Sequence, residues 1–136
     1  MFSPPTQHRC VVWFRGKDLR IRDHQALTTA VRRGGEVLPL FVVDPYFFDP
    51  VRCQELPHRI QFLVDSLHAL DAALRALGTR LHVVRGSCHQ VLPKLVSEWG
   101  ATEVFSQGWA DPLGRVRDRK IKSALQVPFH LVNGET

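Results

Sequence analysis

Apolar residues fall along the chain in two spacings. Short runs rich in β-branched and aromatic residues read as strands: Arg9–Phe14 (RCVVWF), Val37–Val43, Leu81–Val84, Glu103–Phe105, and Val127–Val132, the last interrupted at its start by Pro128. The second run is continuous rather than alternating, which fits a strand covered on both faces of a parallel sheet. Between the runs, apolar residues recur at helical spacing. Ala26, Leu27, Ala30 and Val31 follow Asp23, a candidate cap, and stop at Gly34 and Gly35. Ile60, Leu63, Leu67, Leu70, Leu74 and Leu77 step by three and four from a Pro start at Pro57 to Gly78. Val91, Leu92, Leu95 and Trp99 lie between Ser87, a second candidate cap, and Gly100, and Pro112 opens a last helix through Ile121 and Leu125.

Strands alternating with helices predict right-handed βαβ crossovers. The fold class expected is α/β: a Rossmann-like three-layer α/β/α sandwich with a five-stranded parallel sheet. In such sheets ligands sit at the carboxyl ends of the strands, near the point where strand order reverses. That points to the loops after strands one, two and four, at Arg15–Arg22, Asp44–Arg52 and Ser106–Asp111.

Composition narrows the class. A length of 136 residues suits one domain, and 44% apolar with 23% charged residues is ordinary for a globular chain. No apolar run approaches the ~20 residues that span a bilayer, and Met1–Arg9 lacks the apolar stretch of a signal peptide, so no membrane partner and a cytoplasmic location are expected. Cys10, Cys53 and Cys88 match no disulfide framework or CxxC metal site and are expected as reduced thiols. The net charge of +5 is concentrated in Arg115–Lys122, a stretch that also holds Asp118 and reads as a solvated helix face or, alternatively, a nucleic-acid groove.

The three loops carry the candidate chemistry. The first sets Arg15, Lys17, Arg20 and Arg22 around Asp18 and Asp23, either an anion or ring site or a surface salt-bridge network. The second follows Asp44 with Tyr46, Phe47 and Phe48, either a flat pocket for a conjugated ring or a satellite core. The third supplies Gln107, Gly108, Trp109 and Asp111. No GxGxxG, Walker loop, HExxH, Cys/His cluster or GxSxG elbow occurs, so triphosphate, metal and hydrolase chemistry lack their signatures. No metal ligand is assigned. His24, His58 and His89 fall near helix starts.

The stretch VVWFRGKDLRIRDHQAL at Val11–Leu27 resembles the opening signature of the DNA photolyase and cryptochrome family, close to WFRxDLRxxDxxAL. The resemblance continues in family order through VLPLFVVDP (Val37–Pro45), RIQFLVDSLHALDAALRALGTRL (Arg59–Leu81), VVRG (Val83–Gly86), EWGATEVF (Glu98–Phe105) and GRVRDRKIKSAL (Gly114–Leu125). Gly16 and Lys17 stand where one residue is usual in the first loop.

The resemblance implies that residues 1–136 are the family's N-terminal α/β domain. In some members this domain binds an antenna chromophore that passes excitation to a catalytic FAD. By position the implied contacts are Arg15, Asp18, Asp44, Phe47, Arg59, Phe62 and Trp109, with FMN, FAD or 8-hydroxydeazaflavin favoured. Folate-binding members use a carboxylate where Asp111 stands; Asp is one methylene shorter than the usual Glu, which weighs against methenyltetrahydrofolate. FAD, damaged DNA and the lyase chemistry of a cyclobutane pyrimidine dimer photolyase belong to a C-terminal helical domain. The chain stops at Thr136, about where the interdomain linker starts, so an excised, non-catalytic domain partnered by that FAD domain is expected, with no catalytic residue of its own. The alternatives are a cryptochrome-type structural or signalling platform without an antenna, and a stand-alone Rossmann-like nucleotide-binding module.

Overall fold

A computed structural model describes residues 8–16, 18–45, 54, 57–108 and 112–133. Lys17, Phe47, Cys53, Trp109 and Asp111 lie outside the described residues. Strands β1 (His8–Phe14), β2 (Gly35–Val43), β3 (His82–Arg85), β4 (Glu103–Gly108) and β5 (Phe129–Asn133) alternate with helices α1 (Gln25–Arg32), α2 (Pro57–Ala76), α3 (Cys88–Trp99) and α4 (Pro112–Ala124). All strand pairs are parallel, in the order β3-β2-β1-β4-β5. The chain winds outward from β1 to β3 and then returns to the other side of β1. Strand order therefore reverses between β1 and β4, which marks the carboxyl edge there as the place where sheets of this kind form a ligand crevice.

The side-chain alternation of β1 divides the core. Val11 and Trp13 join Leu38, Leu40, Leu92, Val96, Val104, Ile121 and Leu125 on the face covered by α3 and α4. Cys10, Val12 and Phe14 join Ala26, Leu27, Ala30, Phe41, Leu70, Leu74 and Phe105 beneath α1 and α2. Helices on both faces make the three expected layers, and they explain why β1 has no polar alternation. Pro39 pairs with Val12, whereas β3 pairs only with Leu40–Val43. The proline thus sits where β2 has one neighbouring strand, and its missing N–H need not break a ladder.

Strand ends shift from the sequence expectation by one or two residues at β1, β2, β3 and β5, and two differences bear on the site. Asp23 does not cap α1. It adopts a φ of 51°, and His24 is the cap, with Nδ1 accepting the Leu27 N–H at 3.1 Å. Strand β4 runs on to Gly108, so Ser106 and Gln107 belong to the sheet rather than to a loop. Both are buried polar residues without a strand-forming signature. Two glycines are required: a Cβ at Gly35 would overlap the His8 carbonyl where β2 meets β1, and Gly100 ends α3 at a φ of 73°. Ser87 stands at the start of α3 but makes no side-chain capping bond.

Candidate functional site

A helix that follows a parallel strand starts at the carboxyl edge of the sheet, so the first turns of all four helices lie at the same edge as the loops after β1 and β2. The floor of that edge is a buried polar frame. The Arg15 side chain leaves the end of β1, and its Nε donates to Ser106 Oγ on β4 at 2.9 Å. Its Nη1 donates to Asp118 Oδ2 on α4 at 3.1 Å, while Nη2 lies 2.9 Å from Oδ1, an ion-pair contact off the hydrogen-bond axis. Ser106 in turn donates to the Trp13 carbonyl at 3.0 Å. One arginine thereby ties β1, β4 and α4 together.

Arg15 is 7% exposed and Asp118 3%. Burial lowers the Arg15 pKa from its ordinary value, and the Asp118 carboxylate opposes that shift. The guanidinium also lies over the Trp13 ring, 4.3 Å from its centroid, and Arg117 approaches the same ring at 5.6 Å. The Arg117 Nε is buried without a hydrogen-bond partner.

The loop after β1 is wound around Asp18. Its Oδ1 accepts the Arg15 N–H at 2.6 Å, and its carbonyl accepts the Arg20 N–H at 2.8 Å. Its Oδ2 lies 3.8 Å from His24 Nε2, and both atoms are buried without a hydrogen-bond partner. Because His24 Nδ1 accepts from Leu27, a neutral ring carries its proton on Nε2, facing that carboxylate. The His24 ring packs on Phe14 at 4.6 Å, and Gln107 Oε1 accepts the Ala26 N–H at 2.8 Å. The entry to α1 is thus held from β1 and β4 together.

The sequence-derived candidates divide into two sets. Arg15 and Asp18 are brought together as buried parts of the floor, each with one polar atom, Nη2 and Oδ2, that makes no hydrogen bond. Arg20 and Arg22 are exposed, with the Arg20 guanidinium turned onto the Arg22 and Asp23 carbonyls. Arg59 and Phe62 lie exposed at the start of α2, and Phe62 keeps 74% of its surface open. Their i, i+3 spacing sets them on one side of the helix. Asp44 is half-buried just beyond β2.

Sequence reading placed Ser106 only as the first residue of the third loop, and it missed Asp118 and Arg117 as parts of the site. The stretch Arg115–Lys122, expected as a solvated face, is solvated at Arg115, Arg119, Lys120 and Lys122, but Asp118 points inward. A signal was available. Asp118 precedes Ile121 by three and Leu125 by seven, and both of those are buried on the core-facing stripe. Cys10 and Cys88 are free, buried thiols; burial above all pushes Cys10 up to about 11 and raises Cys88 as well. Among the described residues no His, Cys, Asp or Glu group is arranged to hold a metal, and no helix is long and apolar enough to cross a membrane.

Residues 10–136 match the family model described as DNA photolyase. Among curated relatives, Cryptochrome-2 of Gallus gallus is 38% identical over 120 residues, which are 88% of this chain and 20% of that protein. A class III photolyase from Agrobacterium tumefaciens superposes with a TM-score of 0.73 at 31% identity, over 95% of this chain and 27% of the other. An archaeal photolyase from Sulfolobus tokodaii, solved with two FAD molecules and described as implying a novel light-harvesting cofactor, superposes at 0.74 with 25% identity, over 90% of this chain and 29% of the other. The chain therefore spans less than a third of the length of each of these relatives.

Proposed function

The chain belongs to the DNA photolyase family and matches its N-terminal α/β domain, and from that premise we propose that it is a light-harvesting domain holding a flavin-type antenna at the carboxyl edge of the sheet. The observation that carries this reading is the buried polar frame at the strand-order reversal. Strand order reverses between β1 and β4, and the floor there is rigid, because Arg15, Ser106 and Asp118 are locked to one another. A chromophore that transfers excitation must keep one orientation, which needs a fixed floor and exclusion of water but no acid, base or nucleophile. The two FAD molecules of the archaeal relative support a flavin as the ligand.

The described residues fit such a group. The Phe62 ring offers an aromatic face, and Arg59 offers a guanidinium for a phosphate or a ring carbonyl. Arg117 holds a buried, unpartnered donor beside Trp13. Asp44 stands just beyond β2, and the family resemblance adds Phe47 and Trp109 by sequence position alone, as it adds Asp111 for a folate. When bound, the antenna supplies light absorption and excitation transfer to a catalytic FAD, which in this proposal sits in the part of a longer protein that these residues do not include, together with damaged DNA. This chain's own residues bind, orient and shield.

Titration of the folded chain with FMN, an 8-hydroxydeazaflavin and methenyltetrahydrofolate, read by ligand fluorescence polarisation, tests the reading. Saturable micromolar binding of a flavin-type ligand is expected, and Arg59→Ala weakens it by about 1–3 kcal/mol through loss of a charge-assisted contact. Absence of saturable binding for all three ligands in a folded sample sinks it. The 38% identity to a cryptochrome favours a second reading, a platform without an antenna that serves a signalling protein, and that same null result would select it.

A further inference from the structure

Two buried polar atoms at the entry to α1 face each other without bonding. Asp18 Oδ2 and His24 Nε2 stand 3.8 Å apart, neither has a hydrogen-bond partner, and both side chains are shut off from solvent. A buried polar atom left unbonded costs free energy, and these two complementary atoms stop about 1 Å short of a charge-assisted bond. The opposite ring nitrogen is already in use: Nδ1 caps α1 by accepting the Leu27 N–H at 3.1 Å.

Protonation forces a choice between the two contacts. A neutral ring has one acceptor nitrogen and one donor, so it can cap α1 while its Nε2–H points at Asp18. An imidazolium carries hydrogen on both nitrogens. Its Nδ1 then meets the Leu27 N–H donor to donor and the cap fails, whereas Nε2 gains a full counter-charge in Asp18. Neither state satisfies every group: the neutral ring leaves Oδ2 and Nε2 unbonded, and the charged ring leaves the Leu27 N–H without an acceptor. Asp18 is also the hub of its loop, since its Oδ1 accepts the Arg15 N–H and its carbonyl accepts the Arg20 N–H.

The neighbours of the ring favour that exchange. From β1 it meets the Phe14 ring, and from β4 Gln107 is engaged by the Ala26 N–H. On the outer side His24 lines a surface groove of about 760 Å³ with Arg20, Asp23, Thr28 and Arg32, which gives protons a route to the ring. Arg20 and Arg32 oppose a charge on the ring from exposed positions, where solvent screens them, and exposed Asp23 favours it under the same screening. Asp18 favours it from the interior, where screening is weak.

We propose that Asp18 and His24 form a proton-operated latch at the entry to α1. With the ring neutral, His24 caps the helix. With the ring protonated, it leaves Leu27 and closes on Asp18 Oδ2, so the loop is tied down while the first turn of α1 loosens. The latch works within the chain and needs no ligand at the carboxyl edge.

The test is an NMR titration of the 136-residue chain, with the ring nitrogen shifts of His24 and amide exchange followed together. At high pH the shifts should report the Nε2–H tautomer, and on acidification both nitrogens should become protonated while the chain stays folded. Across that step the Leu27 amide should lose protection about fivefold or more, after correction for the intrinsic pH dependence of exchange. Ala26 and Thr28 are the internal controls, because their N–H groups donate to Gln107 Oε1 and to the His24 carbonyl, and they should change less. His24→Asn, which keeps a capping side chain but cannot titrate, should abolish the step. Asp18→Asn keeps an acceptor for the Arg15 N–H without the charge, and should hold the ring neutral to lower pH. The proposal is overturned by a ring that stays neutral until the chain unfolds, by protonation that leaves Leu27 as protected as before, by a step that survives His24→Asn, or by an Asp18→Asn chain that titrates like the parent. Should either variant fail to fold, the titration of the unaltered chain decides alone.

Discussion

The sheet carries a charge cluster at each end, and the two clusters are built from similar groups in opposite surroundings. At the carboxyl edge, Arg15 and Asp118 face each other almost out of contact with water, with Ser106 as the third partner. At the amino edge, Glu103 accepts from His130 Nε2 at 3.0 Å, meets Arg33 Nη2 at 3.2 Å and lies 3.8 Å from His8 Nδ1, and its three partners keep 37–47% of their side chains in solvent. Each is a carboxylate paired with an arginine, yet they should weigh very differently. Exposed partners recover their solvation when the pair is broken, whereas a buried charge left alone does not.

Removing the carboxylate at each end separates the two cases most sharply. Asp118→Ala leaves the Arg15 guanidinium buried without its counter-charge, and a loss of about 3–5 kcal/mol is expected in denaturant unfolding. A double change of Arg15→Met with Asp118→Leu should recover most of that loss, since neither charge is then buried. A loss for Asp118→Ala no larger than that for Glu103→Ala would erase the distinction between the two ends.

Glu103→Ala is expected to cost about 1 kcal/mol or less. Added salt sharpens the contrast: raising ionic strength should shrink the Glu103 effect and leave the Asp118 effect nearly unchanged, because buried pairs are screened little. Unfolding free energies of both variants at low and high salt check this. Equal salt sensitivity would place Arg15 and Asp118 in contact with solvent.

The smallest effect concerns the thiol beside the amino-edge cluster. Cys10 Sγ lies 3.9 Å from Glu103 Oε2, and its folded pKa of about 11 stands above the value of 9.0 for an unperturbed thiol. Between those values the folded chain holds a proton that the unfolded chain has released. The stability this represents is complete below pH 9.0 and fades as pH rises through about 11. Cys10→Ala should flatten that alkaline limb, read as thermal stability against pH, and an unchanged limb would assign it to other groups.

Much of the fold was legible because periodicity is a local property. The runs Arg9–Phe14 and Val37–Val43, and the leucine steps along α2, needed no long-range knowledge to be assigned, and their alternation implied the parallel sheet that is observed. The entry to α1 was misplaced because an Asp and a His stand side by side, and propensity favours the Asp as cap. Its rank was overturned by the turn at Asp23 and by the packing of the His24 ring on Phe14. Strand β4 was drawn short for a similar reason, since Ser106 and Gln107 look like loop residues until their partners, Arg15 and the Ala26 N–H, are known.

The chain by itself determined its element order, its fold class, its two-faced core and the loops that border the crevice, all of which follow from the spacing of apolar residues and the placement of Gly and Pro. Its family signature was equally open to reading in the residues from Val11 to Leu27. Tertiary structure alone decided what the charged residues do. Arg15 and Asp118 are 103 positions apart, and no local pattern links them. Only the closing of α4 over β1 and β4 removes the water from between them and locks the Arg15 guanidinium against Ser106 and Asp118.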